Sequence, residues 1–261
     1  MQICVSALFG VIALVNLMQM VVGRQLGGPS RSRRVGGQLR WESAAAAVVG
    51  VGGVVMAVSK TSWLAVQDAA PEEVADALGL QHRRIVDWTG GTSAAYRQGV
   101  FVARPVPDWT IAHGRIHLTP GTDATDPRFP TWLQTLSTHL GDVQYFATDR
   151  IGDCHAWAKV ESGRLTRAYC YIGERGEVPL HVGEPTDVEM ELGVGQRRLE
   201  DGWQDWQDPE WDAWSAAMPR EDHVMRIARD WSICPLDIPD GAVSAPGIYG
   251  FPSGVEPCYE P

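Results

Sequence analysis

Five side chains able to bind a ligand alternate with small residues within residues 143–173. They combine hydrogen-bond donors with aromatic rings: His155, Trp157, Arg167, Tyr169 and Tyr171. Imidazole, guanidinium and phenol groups can fix the polar part of a ligand, while ring faces contact its apolar part. The alternative is structural, because a helix or loop covering the same residues would bury them. The set is therefore a candidate ligand-binding surface.

The tryptophan-rich run DGWQDWQDPEWDAW at residues 201–214 is a second candidate. Aromatic faces beside carboxylates can bind sugars or cations. Ligand contacts are predicted for three of its tryptophans: Trp203, Trp206 and Trp211. Two alternatives stay open: tryptophans that anchor a loop to the core, and a glycan hydrolase whose Asp205 and Glu210 carboxylates converge to about 5 to 9.5 Å. Pro209 is expected to interrupt any single helix here.

Signals for metals and cofactors are weak. His113 and His117 stand four residues apart, but their strand-like surroundings separate them along an extended chain. Neither CxxC nor a Cys/His set with zinc spacing occurs, and the carboxylates of residues 201–214 lack the order of a calcium loop. Signatures of nucleotide binding and of serine hydrolases are missing too. The sequence thus predicts no catalytic residue, no metal and no cofactor, and favours a protein that is not an enzyme.

Three antiparallel strands are predicted to carry the first candidate surface: VQYFAT, CHAWAKV and LTRAYCYI, with a turn at ESG. With Gly163 left-handed, Val160 is expected opposite Arg164, and Cys154 opposite Cys170. One face then carries small apolar residues and the other carries the five candidates, as a half-buried sheet requires. A disulfide between the two cysteines is geometrically conceivable. Free buried thiols are the alternative.

Helices and strands mix through the rest of residues 61–261, which predicts the α+β class with an antiparallel sheet packed with helices. Strands are expected at 63–66, 99–104 and 109–113. Helices are expected at about 70–79, 130–140, 186–192 and 219–231. The last helix should lie against the sheet through one apolar face: Val224, Ile227, Ala228 and Trp231. The tail from Pro235 is expected to wrap or fray.

Several runs resemble a group of bacterial proteins that has no established activity. They are VQYFATDR, HAWAKVESGRLTRAYCYIGERGEV, WLAV, VFVARPVPDW and IARDWSICP. Together they extend over most of residues 63–238. The resemblance implies a shared fold and transfers no catalytic residue. Residues 1–60 lie outside it.

Residues 1–60 predict a transmembrane helical hairpin with spans at about 3–22 and 43–59. Neither span contains a charged residue, and the first is long enough to cross roughly 30 Å of hydrocarbon. The Arg-rich loop at 23–42 should stay cytoplasmic, which places the domain from residue 61 onward outside the cytoplasm. If only the first span inserts, that domain stays inside. A cleaved signal peptide and two buried core helices are the alternatives.

The net charge of the chain also changes sign between residues 1–60 and residues 61–261. Residues 1–60 hold six basic residues and one acidic residue, whereas residues 61–261 hold 16 basic and 31 acidic residues. A net charge of about −15 makes nucleic acid an unfavourable partner for the acidic domain. The sequence favours a non-catalytic binding or sensing domain, tethered to the bacterial cell membrane, with a protein or small molecule as ligand. The alternatives are a cytoplasmic acidic protein that neutralises a basic partner, as immunity proteins do, and the glycan hydrolase.

Overall fold

The computed structural model describes residues 60–114, 121–149, 151–173, 177–196, 207–239 and 241–255. The two predicted membrane spans and the arginine-rich loop between them lie outside these residues, as do Trp203 and Trp206. Within the described ranges, no helix combines the length and the apolar character that a membrane crossing needs.

Within the described residues, nine strands form one sheet in which every neighbouring pair is antiparallel. Its order is β2-β9-β3-β4-β1-β5-β6-β7-β8. The strands are β1 (Lys60–Gln67), β2 (Gln81–Val86), β3 (Val100–Val106), β4 (Trp109–Gly114), β5 (Val143–Asp149), β6 (Cys154–Glu161), β7 (Arg164–Ile172), β8 (Glu177–Val182) and β9 (Gly247–Phe251).

In the part of the chain that the structure describes, six α-helices accompany the sheet, and together they confirm the predicted α+β class. They are α1 (Pro71–Ala77), α2 (Trp88–Arg97), α3 (Phe129–Leu140), α4 (Asp187–Leu192), α5 (Asp208–Ala217) and α6 (Glu221–Trp231). A short 3-10 helix follows at Pro235–Asp237. Pro209 lies in the first turn of α5, where its fixed φ favours helix initiation, and residues 201–206 before it are outside the described residues.

Helices cover both faces of the sheet. On one face, α1 and α3 pack over a core that includes Leu64 and Leu133. On the other, α4 and α6 pack around Trp63 and Trp157, and α2 covers Phe101 further along the same face. The molecule is therefore a three-layer sandwich whose central sheet is buried on both sides.

Helix α6 lies against the sheet, as its periodicity predicted. Val224, Ile227 and Ala228 are buried in the core. At its carboxyl end, the Trp231 ring lies 5.8 Å from that of Phe146. The amino end of α6 therefore points toward the opposite edge of its face, where β5 ends and β6 begins.

The predicted register of the β6–β7 hairpin was wrong, by one residue next to the turn and by two residues beyond a bulge. Glu161 pairs with Arg164, and Cys154 pairs with Ile172. Ser162 and Gly163 form a two-residue turn with φ angles of 50° and 77°, a geometry that matches the twist of the flanking strands. A β-bulge after Lys159 shifts the pairing by one further residue, so each side chain still lies on its predicted face of the sheet.

The two cysteines of this hairpin are free thiols, as is Cys234. In this register Cys170 lies opposite Ala156, diagonal to Cys154. The pKa of the Cys170 thiol is raised by its hydrogen bond to Cys154 and by burial. The Cys170 thiol is therefore held neutral in the sheet core.

Candidate ligand-binding groove

Helices α4 and α6 cover the predicted ligand face. Trp157, Arg167, Tyr169 and Tyr171 all lie on one side of the sheet, as predicted, but they are buried. The fifth candidate, His155, lines an open groove. The sequence therefore identified a real cluster of donors and rings, most of which bind the protein's own groups.

Glu189 of α4 is the group on which these donors converge. Its carboxylate is fully buried and accepts a hydrogen bond of 2.6 Å from Nη2 of Arg167, which is 2% exposed. Nε1 of Trp157 donates to Glu189 Oε1 at 2.7 Å. On the other oxygen, the backbone N–H and the hydroxyl of Thr186 both donate at 2.9 Å. The Glu189 carboxylate is thus the shared acceptor for Arg167, Trp157 and Thr186.

The remaining donors of Arg167 are also used. Nη1 donates to the carbonyl oxygens of Val182 and Gly183, each at 3.0 Å. Nη2 donates to the carbonyl of Gly195 at 2.7 Å. Because a buried guanidinium needs partners for its five N–H groups, this network ties β7, β8 and the end of α4 together.

The aromatic members of the set pack in the core. Trp157 stacks on Tyr169, with ring centroids 4.8 Å apart. Burial raises the pKa of Tyr169 above its ordinary value, so its phenol stays neutral. The Tyr171 hydroxyl donates to the sulfur of Met218 at 2.6 Å. These rings therefore stabilise the sheet and its helices.

A groove of about 580 Å³ opens between the β5–β6 turn and one side of α6. Its lining combines a histidine and a methionine with five charged residues: Asp153, His155, Arg220, Glu221, Asp222, Met225 and Arg229. Its volume falls in the range of small-molecule sites, roughly 300–1,000 Å³.

Local contacts fix the walls of the groove. Asp149 holds the β5–β6 turn by accepting from the backbone N–H of Ile151 and Gly152, at 3.0 and 3.1 Å. Lys60 of β1 binds the same carboxylate at 2.8 Å. On the helix side, Arg229 makes two hydrogen bonds of 2.7 Å to Asp237. Hydrogen bonds and ion pairs therefore hold both walls of the groove in place.

His155 joins the groove to the sheet core. Its Nδ1 lies 3.0 Å from the Thr148 hydroxyl, and its Nε2 lies 3.8 Å from Asp153 Oδ1. Burial is the main reason that its pKa falls to about 4, with a smaller contribution from His223; the charges of Asp149 and Asp222 act in the opposite direction. The imidazole is therefore neutral near pH 7.

A second buried histidine lies further along the same face. Nε2 of His113 on β4 contacts the Thr61 hydroxyl at 2.8 Å. Its Nδ1 is buried without a hydrogen-bond partner among the described residues. Burial lowers its pKa to about 4. Thr61 pairs with Thr148 across β1 and β5, so a row of polar side chains runs from His113 to His155.

The tryptophan-rich candidate stays untested. Trp211 belongs to α5, but its side chain is outside the described residues, as are Trp203, Trp206 and Asp205. The Glu210 carboxylate accepts from the backbone N–H of Gln207 at 2.9 Å. It therefore caps α5, and its distance to Asp205 remains open.

Within the described residues, no group of three or more His, Cys, Asp or Glu side chains is placed to hold a metal ion. His113 lies in β4 and His117 falls outside those residues.

Sequence reasoning missed the groove residues on α6, since their charges are ordinary for an exposed helix side. It also missed the role of Glu189, although Thr186 and Glu189 have the Thr-x-x-Glu spacing of a helix capping box. Compared with known protein families, curated proteins and solved structures, the chain matches none.

Proposed function

We propose that the chain is a non-catalytic binding domain, tethered to the bacterial cell membrane by residues 1–60, whose ligand occupies the groove beside α6. The observation that carries the proposal is the groove itself: about 580 Å³, lined by charged side chains and by one predicted ligand residue, His155. Trp157, Arg167, Tyr169 and Tyr171 are buried within the fold, whereas His155 lines this groove.

The lining supports binding better than catalysis. Some of its carboxylates form ion pairs with its guanidinium groups, as in the 3.3 Å contact of Arg220 with Asp222. The buried sulfur of Met225 supplies an apolar floor. Such a mixture of a few fixed polar groups and an apolar surface selects a ligand by charge and shape.

The tether and the position of the domain belong to the same proposal. The five arginines at 23–42 favour a cytoplasmic loop, so two inserted spans would carry the groove to the outer side of the membrane. The resemblance to the bacterial group is compatible with this organisation and adds no activity to it.

A melting-temperature screen tests the groove. Full-length protein is heated with amines, amino acids, carboxylates and sugars, and a ligand at about 100 times its Kd should raise Tm by about 5–10 °C. The Glu221→Trp variant should lose the effect, because the indole fills the groove. The matched control is Met190→Trp, at an exposed position on α4 outside the lining. A ligand whose effect survives Glu221→Trp binds elsewhere and contradicts the proposal.

Topology reporters test the tether. An enzyme active only outside the cytoplasm, fused after Pro261, should be active, whereas a cytoplasm-active reporter should be silent. Deleting residues 43–59 should reverse both results, because one span then leaves the domain inside. Activity of the cytoplasmic reporter on the intact chain would contradict the tether. It would support the second candidate, an intracellular acidic protein that neutralises a basic partner, which the charge of about −15 favours.

A further inference from the structure

We propose that the amino end of α6 is a pH-sensitive wall of the groove, in which proton uptake by His223 and His155 releases the first turn of the helix. Residues of this turn line the groove, so their release opens it. The opening deepens the binding function proposed above, and rests on it only for one consequence, the release of a bound ligand in acid. The opening itself can be measured without a ligand.

His223 caps the amino end of α6. Its Nδ1 accepts a hydrogen bond of 3.3 Å from the backbone N–H of Arg220, the residue that precedes the helix. In most capping boxes a glutamate or glutamine side chain makes this contact. A carboxylate stays an acceptor down to about pH 4, whereas an imidazole loses its acceptor nitrogen when it binds a proton. A protonated His223 therefore cannot cap the helix.

The surroundings of His223 also oppose a positive charge. The imidazole is buried, and Nη2 of Arg220 lies 3.3 Å from its Nε2. The amino end of a helix itself carries a partial positive charge. Asp222 lies 4.0 Å from Nε2, but it also forms an ion pair with Arg220 at 3.3 Å. Burial lowers the pKa of His223, while Asp222 opposes this effect and Arg220 adds to it.

His155 on β6 lines the groove together with the first turn of α6. It is buried, and it lies close enough to His223 that a charge on that ring disfavours a charge on His155. Two carboxylates face it from the end of β5 and the following turn. Asp149 is bound by Lys60 at 2.8 Å, and Asp153 Oδ1 lies 3.8 Å from His155 Nε2. Acid therefore acts on two buried imidazoles at the same end of α6.

The other charged groups around this end of α6 are of both signs. Glu221 and Arg229 line the groove, and Arg229 is bound by Asp237 at 2.7 Å. Helix α4 also packs against α6, and its buried Glu189 carboxylate is bound by Arg167. Because opposite charges surround the two imidazoles, burial is the largest influence on the protonation state of each.

Release of the turn would hydrate both imidazoles and return their pKa values toward the ordinary 6.5. Below pH 6.5 the open form then binds more protons than the closed form, so the open fraction rises as the pH falls. His155 alone, with a pKa of about 4 in the closed form, should raise the ratio of open to closed molecules about 30-fold between pH 7.5 and 5.0. His223 acts in the same direction.

Only a short piece of α6 has to move. Two backbone hydrogen bonds attach Arg220 to the helix, from the N–H groups of His223 and Val224 to its carbonyl, at 3.1 and 3.2 Å. The side chains of Arg220 and Asp222 are exposed. Beyond the turn, Val224 and Ile227 are buried in the core and hold the rest of the helix on the sheet. The opening is therefore local and leaves the fold intact.

Residue-resolved hydrogen exchange of the full-length protein at pH 7.5 and 5.0 tests the opening. After correction for the intrinsic effect of pH on exchange, the amides of His223 and Val224 should be at least about tenfold less protected at pH 5.0. Glutamine can accept from the Arg220 N–H and does not titrate in this range, so His223→Gln should reduce the loss at Val224 several-fold. His223→Gln combined with His155→Gln should abolish it.

His113→Gln is the matched control. His113 is also buried and has a pKa of about 4, but it lies on β4 outside the groove lining. The variant should leave the loss of protection at Val224 unchanged, because global unfolding hydrates His113 and the local opening does not. A loss that persists in the double variant, or one that His113→Gln reduces equally, would overturn the opening.

Low concentrations of urea provide a check that needs no substitution. At pH 5.0 the exchange of the His223 and Val224 amides should not accelerate with urea, because a local opening exposes little surface. Acceleration would show that the turn opens only when the whole protein unfolds, and would overturn the proposal. Each of these measurements is made without a ligand, so the melting-temperature screen still decides the proposed binding function on its own.

Discussion

Replacing Arg167 with methionine is expected to lower the free energy of unfolding by about 3–5 kcal/mol. The substitution keeps most of the side-chain volume but leaves the Glu189 carboxylate fully buried without its cation. It also removes the donors to Val182, Gly183 and Gly195, which join β7 and β8 to the end of α4. Urea unfolding of the full-length protein, followed by tryptophan fluorescence, measures the loss.

Two comparisons make this prediction specific. Arg167→Met combined with Glu189→Leu should be more stable than Arg167→Met alone, because no uncompensated buried charge remains. Arg229→Met removes an ion pair of comparable length in which both side chains are more than 40% exposed, and it should cost about 1 kcal/mol or less. Equal losses for Arg167→Met and Arg229→Met would show that the buried network does not stabilise the fold.

The alternation of side chains explains why the sequence predicted the faces of β6 and β7. A two-residue error in register leaves every side chain on its own face, so Trp157 and Tyr169 were placed correctly despite the wrong turn. Helix α6 was predictable for a similar reason, since its buried residues recur at helical spacing. These are local, periodic signals.

Elements that depend on distant partners were missed. Strands β2 and β9 pair with each other near one edge of the sheet, although more than 150 residues separate them. Because β9 lies in the tail that was expected to wrap or fray, that prediction was wrong for Gly247–Phe251. Helix α2 was missed because its two adjacent glycines are poor helix formers. There, a Cβ on Gly91 would overlap the ring of Phe101, so the glycine serves close packing.

The groove beside α6 could not be predicted for a related reason. One wall comes from β6 and the β5–β6 turn and the other from α6, and the packing of α6 on the sheet brings them together. His155 was predicted from its strand position, whereas Asp222 and Arg229 resemble any charged residues on a solvent-exposed helix. Sequence can place a side chain on a face, but the covering helix decides which side chains stay accessible.

Mild acid is expected to destabilise the protein between about pH 6.5 and 4, before its carboxylates are neutralised. His113 and His155 have pKa values of about 4 in the fold, below the ordinary value of 6.5. Below pH 6.5 the unfolded chain therefore binds more protons than the folded chain, and stability falls with pH. Each histidine contributes about 3 kcal/mol, fully present above pH 6.5 and lost by about pH 4. His223, whose pKa burial also lowers, acts in the same direction.

The aspartates affect stability in a lower pH range than the buried histidines do. The pKa values of Asp149 and Asp222 are lowered in the fold, because hydrogen bonds from Lys60 and Arg220 outweigh burial. Their stabilisation is present above the ordinary aspartate pKa of about 4 and is lost only below it. The decline between pH 6.5 and 4.5 therefore reports the buried histidines.

Glutamine variants isolate that decline, because an amide can keep a hydrogen bond but does not titrate in this range. In urea unfolding at pH 7.5, 6.0, 5.0 and 4.5, His113→Gln and His155→Gln should each flatten the dependence of the unfolding free energy on pH, whatever their stability at pH 7.5. The double variant should flatten it further. His139→Gln, at an exposed histidine of α3, should keep the parent slope. An unchanged slope in the double variant would mean that these imidazoles are not held neutral by burial, and the acid sensitivity would then have to arise elsewhere.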